Sequence, residues 1–79
     1  MPWFDFIWTD ENEGHIFEHG ITASEVEFVI QNPSQMIRSR SSNRTSVIGF
    51  TQQRRELFVV YEEVDEITIY PITAYERSE

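Results

Sequence analysis

Residues 21–33, ITASEVEFVIQNP, carry both the start signal and the end signal of a helix. Thr22 and Glu25 have the spacing of a capping box, and Ile21 can pack on Val26 as a hydrophobic staple. Apolar residues then recur at i, i+3 and i+4 positions, and Pro33 stops the pattern because proline cannot continue a helix. The sequence therefore predicts an amphipathic helix between these two signals.

The residues that precede this helix predict a strand and another helix. Residues 3–8 are rich in aromatic side chains, which is typical of a strand. Thr9 can cap a helix whose first turn is acidic, as the helix dipole favours. We expect this helix to run to about His19, with Gly20 ending it in the left-handed conformation.

The residues that follow Pro33 predict four strands, over 35–40, 45–51, 57–61 and 67–75, separated by polar turns. The run 57–61 is continuously apolar, which predicts a central strand covered on both faces. The alternation of apolar residues slips at Pro71, which predicts a bulge. The predicted fold is a single α+β domain over residues 1–79, β-α-α-β-β-β-β, with two helices packed on an antiparallel sheet.

Composition narrows the functional classes. The chain has 79 residues, a formal net charge of −8 and no cysteine, so disulfides and thiolate metal sites are excluded. No run reaches the roughly 20 apolar residues that a membrane span needs, and the N-terminus lacks a secretory signal, so we expect a cytoplasmic protein without a membrane partner. The acidity argues against indiscriminate binding to nucleic acid.

The basic residues are all arginine, and five of the six lie in residues 28–55, a window without any acidic residue. Guanidinium groups bind phosphate and carboxylate through planar, paired hydrogen bonds. The window therefore predicts an anion site, although it also fits a solvated hairpin whose charges protect an edge strand from aggregation. The five residues are Arg38, Arg40, Arg44, Arg54 and Arg55.

Several short motifs extend along nearly the whole chain. They comprise Phe6-x-Trp8-x-x-x-Asn12, His19-Gly20-Ile21 before the capped helix, Gly49-Phe50-Thr51, the apolar run 57–61 and the segment 67–74. Together they resemble the BrnT-like toxins of the RelE/ParE-like superfamily. The resemblance implies a RelE-like ribonuclease fold, a bacterial type II toxin–antitoxin system, a cognate antitoxin protein and cleavage of RNA. In that family an arginine follows the residue that matches Ala74, whereas this chain has Tyr75.

The resemblance and the arginine window together give a candidate catalytic set. Cleavage through the 2′-hydroxyl of RNA needs a base, a cation for the phosphate and an acid for the leaving oxygen. We expect Arg40 and Arg44 to contact the phosphate and Tyr61 or Tyr75 to position or transfer protons. The remaining residues of the window, which are expected to bind RNA or another anion, are Arg38, Arg54 and Arg55.

Two alternatives to this metal-independent endoribonuclease remain open. One is a catalytically silent module of the same fold that engages only a protein partner, and the oligomeric state is open in both cases. The other is a zinc hydrolase, because His15, Glu18 and His19 match the H-x-x-E-H pattern. A catalytic zinc site also needs a third protein ligand and a cleft, so we expect no metal and no other cofactor.

Overall fold

A computed structural model of the chain describes residues 4–39 and 42–77. Its elements follow the predicted order and are β1 (Asp5–Phe6), α1 (Asp10–Phe17), α2 (Ala23–Gln31), β2 (Gln35–Arg38), β3 (Arg44–Phe50), β4 (Glu56–Glu63) and β5 (Thr68–Glu76). The two helices pack on a five-stranded sheet, which confirms the α+β prediction. Arg40 lies outside the described residues. No helix in the described ranges is long and apolar enough to cross a membrane.

The sheet is mixed, with the strand order β1-β5-β4-β3-β2. The pairs β2–β3, β3–β4 and β4–β5 are antiparallel, as the short turns between them require. β1 pairs with β5 in parallel, so the prediction of an entirely antiparallel sheet is wrong at this edge. No short turn joins β1 to β5, and the direction of β1 is therefore not dictated by a hairpin.

Both helices begin with the capping boxes that their sequences encode. Thr9 and Asn12 cap α1, and Thr22 and Glu25 cap α2. α1 ends at Phe17, slightly before the predicted end, and the chain then turns into Gly20. Gly20 has φ +76°, which confirms its predicted left-handed conformation.

The core lies between the helices and one face of the sheet. The helices and the loop between them contribute five buried aliphatic side chains, and alternate residues of β3, β4 and β5 meet them. Gly49 permits the close approach of α2, because a Cβ there would lie 3.1 Å from Val29 Cγ1 and 3.2 Å from the carbonyl oxygen of Asn32. The core residues are Ile16, Ile21, Val26, Val29, Ile30, Val47, Leu57, Val59, Tyr61, Ile69 and Ala74.

The opposite side of the sheet, here called the open face, is apolar and partly exposed. Burial alternates along β4, so Phe58 and Val60 point away from the helices. The prediction that this strand is covered on both faces is therefore wrong, because both helices of the described chain pack on the same side. We define the open face by Ile37, Ile48, Phe50, Phe58, Val60 and Tyr75.

A register shift interrupts the β4–β5 ladder beside Pro71. Val60 pairs with Thr73 while Tyr61 pairs with Pro71, which leaves Ile72 as the extra residue on β5. The predicted bulge is confirmed. It keeps Ala74 on the core face and puts Tyr75 opposite Phe58 on the open face.

Candidate functional site

The arginine window is divided between the two ends of β3. Arg38 and Arg44 line a depression of about 210 Å³ at the start of this strand, together with Asn43 and Glu63. Arg54 and Arg55 follow its other end, about 20 Å away at the usual rise per strand residue. The described arginines therefore form two separate groups instead of one pocket.

Arg44 is the more available cation at the start of β3. Its side chain makes no ion pair with any carboxylate of the described residues, and its neighbour across the ladder is Glu62. Arg38 forms an ion pair with Glu63, with 3.5 Å between its Nη1 and Oε1 of the carboxylate. An anion that entered this depression would therefore meet one unpaired guanidinium and one that is already paired.

Arg55 is held by its own chain. Nη1 lies 2.9 Å from Oε2 of Glu25, and Nη2 lies 3.1 Å from Oε1 of Glu76 and 3.2 Å from the carbonyl oxygen of Gly20. The hydrogen bond with Glu76 is the largest cause that raises the pKa of Arg55. Two carboxylates and a carbonyl already occupy this guanidinium, so its predicted role in binding RNA stays a prediction.

Arg54 differs from its neighbour in both backbone and surroundings. It is the one non-glycine residue of the described chain with positive φ, at +67°, and its side chain has no ion pair with a described carboxylate. Together with Phe50, Thr51 and Gln52 it lines an open depression of about 600 Å³. An unpaired cation therefore lies beside an exposed aromatic ring at this end of the open face.

Tyr61 lies in the core, on the helix side of β4. It is only 2% exposed, and burial is the largest cause that raises its pKa. The negative charge of Glu63 raises this pKa further. The positive charge of Arg38 and a hydrogen bond with the side chain of Thr45 lower it by smaller amounts. Its predicted catalytic role is not tested by this position, but its ring points away from the open face.

Tyr75 lies on the open face, 45% exposed, with its ring stacked on that of Phe58 at a centroid distance of 5.2 Å. In the sheet, Tyr75 pairs with Phe58, which in turn pairs with Ile48, whereas Arg44 pairs with Glu62. Tyr75 is therefore nearer to the Arg54 end of the sheet than to the Arg44 end. Among the predicted catalytic residues that the structure describes, Arg44 and Tyr75 lie towards opposite ends of β3 and Tyr61 faces the core. Arg40 lies outside the described residues.

The histidines that suggested zinc lie side by side. The rings of His15 and His19 are 5.4 Å apart, and Nε2 of His15 lies 3.2 Å from Oγ1 of Thr73. Within residues 4–39 and 42–77, no group of three or more His, Cys, Asp or Glu side chains is arranged to hold a metal ion. The spacing H-x-x-E-H is therefore present without a third ligand from this part of the chain.

Two residues with well-defined positions were not singled out for these roles from the sequence. The apolar run 57–61 predicts a strand buried on both faces, whereas Phe58 is half-buried and stacks on the exposed ring of Tyr75; alternation along β4 is the signal that separates the two faces. Asn12 is 3% exposed and anchors the start of α1. Its amide donates to the carbonyl oxygens of Ile7 and Pro71, at 3.0 and 2.9 Å.

The fold and these surfaces define a small α+β domain with two capped helices, one open sheet face and arginines at both ends of β3. Among solved structures, the 1.1 Å crystal structure of the Brucella abortus ribonuclease toxin BrnT matches it with a TM-score of 0.73. The match covers 100% of both chains at 14% sequence identity, which shows a shared fold. No protein-family model matches this sequence, and no curated protein matches it.

Proposed function

We propose that this chain is a toxin-like endoribonuclease of a bacterial type II toxin–antitoxin pair, acting in the cytoplasm and controlled by an antitoxin protein. The observation that carries the proposal is the match in fold, over the full length of both chains, to a ribonuclease toxin. The site chemistry supports it, because the open face combines aromatic rings with nearby cations that have no ion pair among the described residues.

In this proposal a single RNA strand lies along the open face. Arg44 binds phosphate at one end of β3 and Arg54 binds phosphate at the other, while Arg38, paired with Glu63 and level with the buried Thr45, adds positive charge at the Arg44 end from the helix side of the sheet. The separation of about 20 Å is within reach of a strand a few nucleotides long. The net charge of −8 would repel RNA elsewhere, so contacts are confined to this surface.

The exposed stack of Tyr75 on Phe58 supplies a platform for a nucleobase. Aromatic rings stack on any base, and each such contact contributes about 1–3 kcal/mol. In this proposal the exposed phenol of Tyr75 exchanges a proton with the RNA. Attack of the 2′-oxygen on the adjacent phosphorus releases the proton of the 2′-hydroxyl and breaks the bond to the 5′-oxygen, which must gain a proton as it leaves.

The test combines cleavage and binding of a labelled single-stranded RNA with growth inhibition on expression. We expect cleavage by the native chain, a loss of tenfold or more in Arg44→Gln, and a loss of cleavage with retained binding in Tyr75→Phe. Arg77→Gln is the matched control, because Arg77 pairs with Glu56 at 3.5 Å. Absence of cleavage by the folded native chain, or equal cleavage by Arg44→Gln and Arg77→Gln, would contradict the proposal.

A module that only binds a protein partner is the second candidate. The specific observation in its favour is that two of the predicted site residues are engaged inside the fold, Arg55 by two carboxylates and Tyr61 by the core. This candidate predicts neither RNA binding nor cleavage by any variant, with growth unaffected on expression. The same set of measurements therefore separates the two.

A further inference from the structure

A groove lies between α1 and the start of α2, on the helix side of the molecule and away from the open face. Its volume is about 430 Å³, and its lining is mostly apolar. Ile21 and Ala23 contribute to it from the loop and from α2, and one stripe of α1 contributes Asp10, Glu13, Gly14 and Phe17. That stripe has the i, i+3, i+4, i+7 spacing of a single helix face.

This stripe is distinct from the face that α1 uses inside the fold. Asn12 and Ile16 are the buried residues of α1, and neither belongs to the stripe. Phe17 is 66% exposed, the highest value among the large hydrophobic side chains of the described chain. The helix thus has one face in the core and a second, partly apolar face that is left uncovered.

The described part of the fold does not require a glycine at position 14, in the middle of the stripe. A Cβ built on it would meet no atom within 4 Å, and its φ lies outside the positive range that requires glycine. Glycine is also less favourable in the interior of a helix than any residue except proline. The open space above Gly14 therefore permits another molecule to approach the backbone of α1 closely.

The charges around the groove define what can enter it. Asp10 and Glu13 are exposed and form no ion pair with the described residues, and residues 1–27 contain seven acidic residues and no lysine or arginine. Thr22 is the N-cap of α2, and its backbone N–H donates to the side chain of Glu25 while its hydroxyl accepts from the backbone N–H of Glu25. The formal charges at the rim of the groove are therefore those of Asp10 and Glu13. An occupant must offer an apolar side chain flanked by lysine or arginine.

We propose that this groove is the docking site for a basic amphipathic helix of a protein partner. An apolar side chain of that helix packs beside Phe17 and over Gly14, and its basic residues pair with Asp10 and Glu13. Such a helix uses the i, i+3, i+4 pattern that recognition of helices in grooves requires. The inference does not depend on RNA cleavage, because the groove and the open face are separate surfaces.

The probe is an 18-residue amphipathic peptide of leucine and lysine, with a leucine and glutamate peptide of the same length as its counterpart. Amide shifts of the ¹⁵N-labelled full chain locate binding, and titration gives the affinity. We expect the lysine peptide to shift residues 10–23 and the glutamate peptide to leave them unchanged. Binding of both peptides alike, binding centred on the open face, or no binding of the lysine peptide would overturn the proposal.

Gly14→Leu fills the groove, and we expect it to lower the affinity for the lysine peptide at least tenfold. The chain should stay folded, since nothing in the described fold occupies that space. Gly14→Ala keeps the proposal testable if leucine perturbs α1. It is expected to raise Tm by about 3–6 °C through helix propensity and still to lower affinity. A higher Tm with unchanged affinity would overturn close approach at Gly14.

The charge contribution needs variants that change the net charge equally. Asp10→Asn with Glu13→Gln removes the two rim carboxylates, and Glu11→Gln with Glu18→Gln removes two carboxylates of the same segment outside the groove lining. We expect a fivefold or greater loss of affinity in the first double variant and less than a twofold change in the second. Equal losses would show attraction by net charge alone and would overturn the assigned site.

Discussion

Nη1 of Arg55 lies 2.9 Å from Oε2 of Glu25, while Nη2 of the same guanidinium lies 3.1 Å from Oε1 of Glu76. This one side chain therefore joins the first turn of α2 to the last residue of β5. It also donates to the carbonyl oxygen of Gly20, where the chain leaves α1. Arg55 thus links residues 20–25, around the start of α2, to Glu76 at the end of β5, which is far from them in sequence.

Arg55→Ala is expected to lower the free energy of unfolding by about 1–3 kcal/mol, since it leaves two carboxylates without their partner. The upper part of that range is reduced by solvent, because the side chain of Glu76 is 46% exposed. Urea unfolding measures the change. Arg54→Ala is the matched control, with an expected change within about 0.5 kcal/mol. Equal effects at the two positions would show that the network contributes nothing measurable.

Asn12→Ala is expected to destabilise the domain by about 2–4 kcal/mol, because it leaves buried carbonyl oxygens without donors. The lost bonds run to Ile7 and Pro71, and the side-chain oxygen also accepts from the backbone N–H of Thr9 at 2.7 Å. Asn12→Asp should be as harmful, since a carboxylate cannot donate to either carbonyl.

The control for this variant is Asn32→Ala at the end of α2. Asn32 donates one exposed hydrogen bond to the carbonyl oxygen of Phe28, at 2.9 Å. We expect a loss below about 1 kcal/mol there, because water can replace the amide. Thermal or urea unfolding of both variants gives the comparison, and a similar loss at the two sites would argue against a special role for Asn12.

Features that depend on neighbouring residues could be predicted from the sequence. The capping box of Thr22 and Glu25, the left-handed Gly20 and the bulge beside Pro71 each need only a few consecutive residues, and all three are present. The strand order of the hairpins follows from short turns in the same way. These local signals fixed most of the fold.

Features that depend on distant segments could not be predicted. The parallel pairing of β1 with β5 is decided by which sheet edge remains free once the hairpins have formed. The continuous apolar run 57–61 hides which side chains face the helices, so the opposite positions of Tyr61 and Phe58 were not evident. The partners of Arg55 lie 30 and 21 residues away, and no spacing rule connects them.

Tyr61 predicts a loss of stability in alkaline solution. Burial raises its pKa in the folded state above the unfolded value of about 10, so the folded state holds the phenolic proton more tightly. The stabilisation that neutral Tyr61 contributes to the free energy of unfolding is fully present below about pH 10 and is lost as the pH rises through the pKa of the folded state. The chain contains no lysine, which leaves few other groups titrating in this range.

The measurement is the urea midpoint between pH 7 and pH 11, with tyrosinate absorbance followed in parallel. Tyr61→Phe should flatten the alkaline decline, although it also removes the hydrogen bond with Thr45 and lowers stability at every pH. Tyr70→Phe serves as the control and should leave the decline intact. If all variants decline alike, the alkaline loss has another origin.

Arg54 predicts opposite changes in stability and in RNA binding. A non-glycine residue in the left-handed region costs about 1 kcal/mol, and Arg54 is held there at φ +67°. Arg54→Gly should therefore raise the free energy of unfolding by up to about 1 kcal/mol, less the entropy that glycine adds to the unfolded chain. If Arg54 binds phosphate as proposed, the same variant should weaken RNA binding severalfold and reduce its salt dependence. Arg54→Lys keeps the charge, so it should retain most of the RNA affinity without the gain in stability. A more stable Arg54→Gly variant that binds RNA as tightly as the native chain would remove Arg54 from the RNA surface and leave Arg44 as the cation to test there.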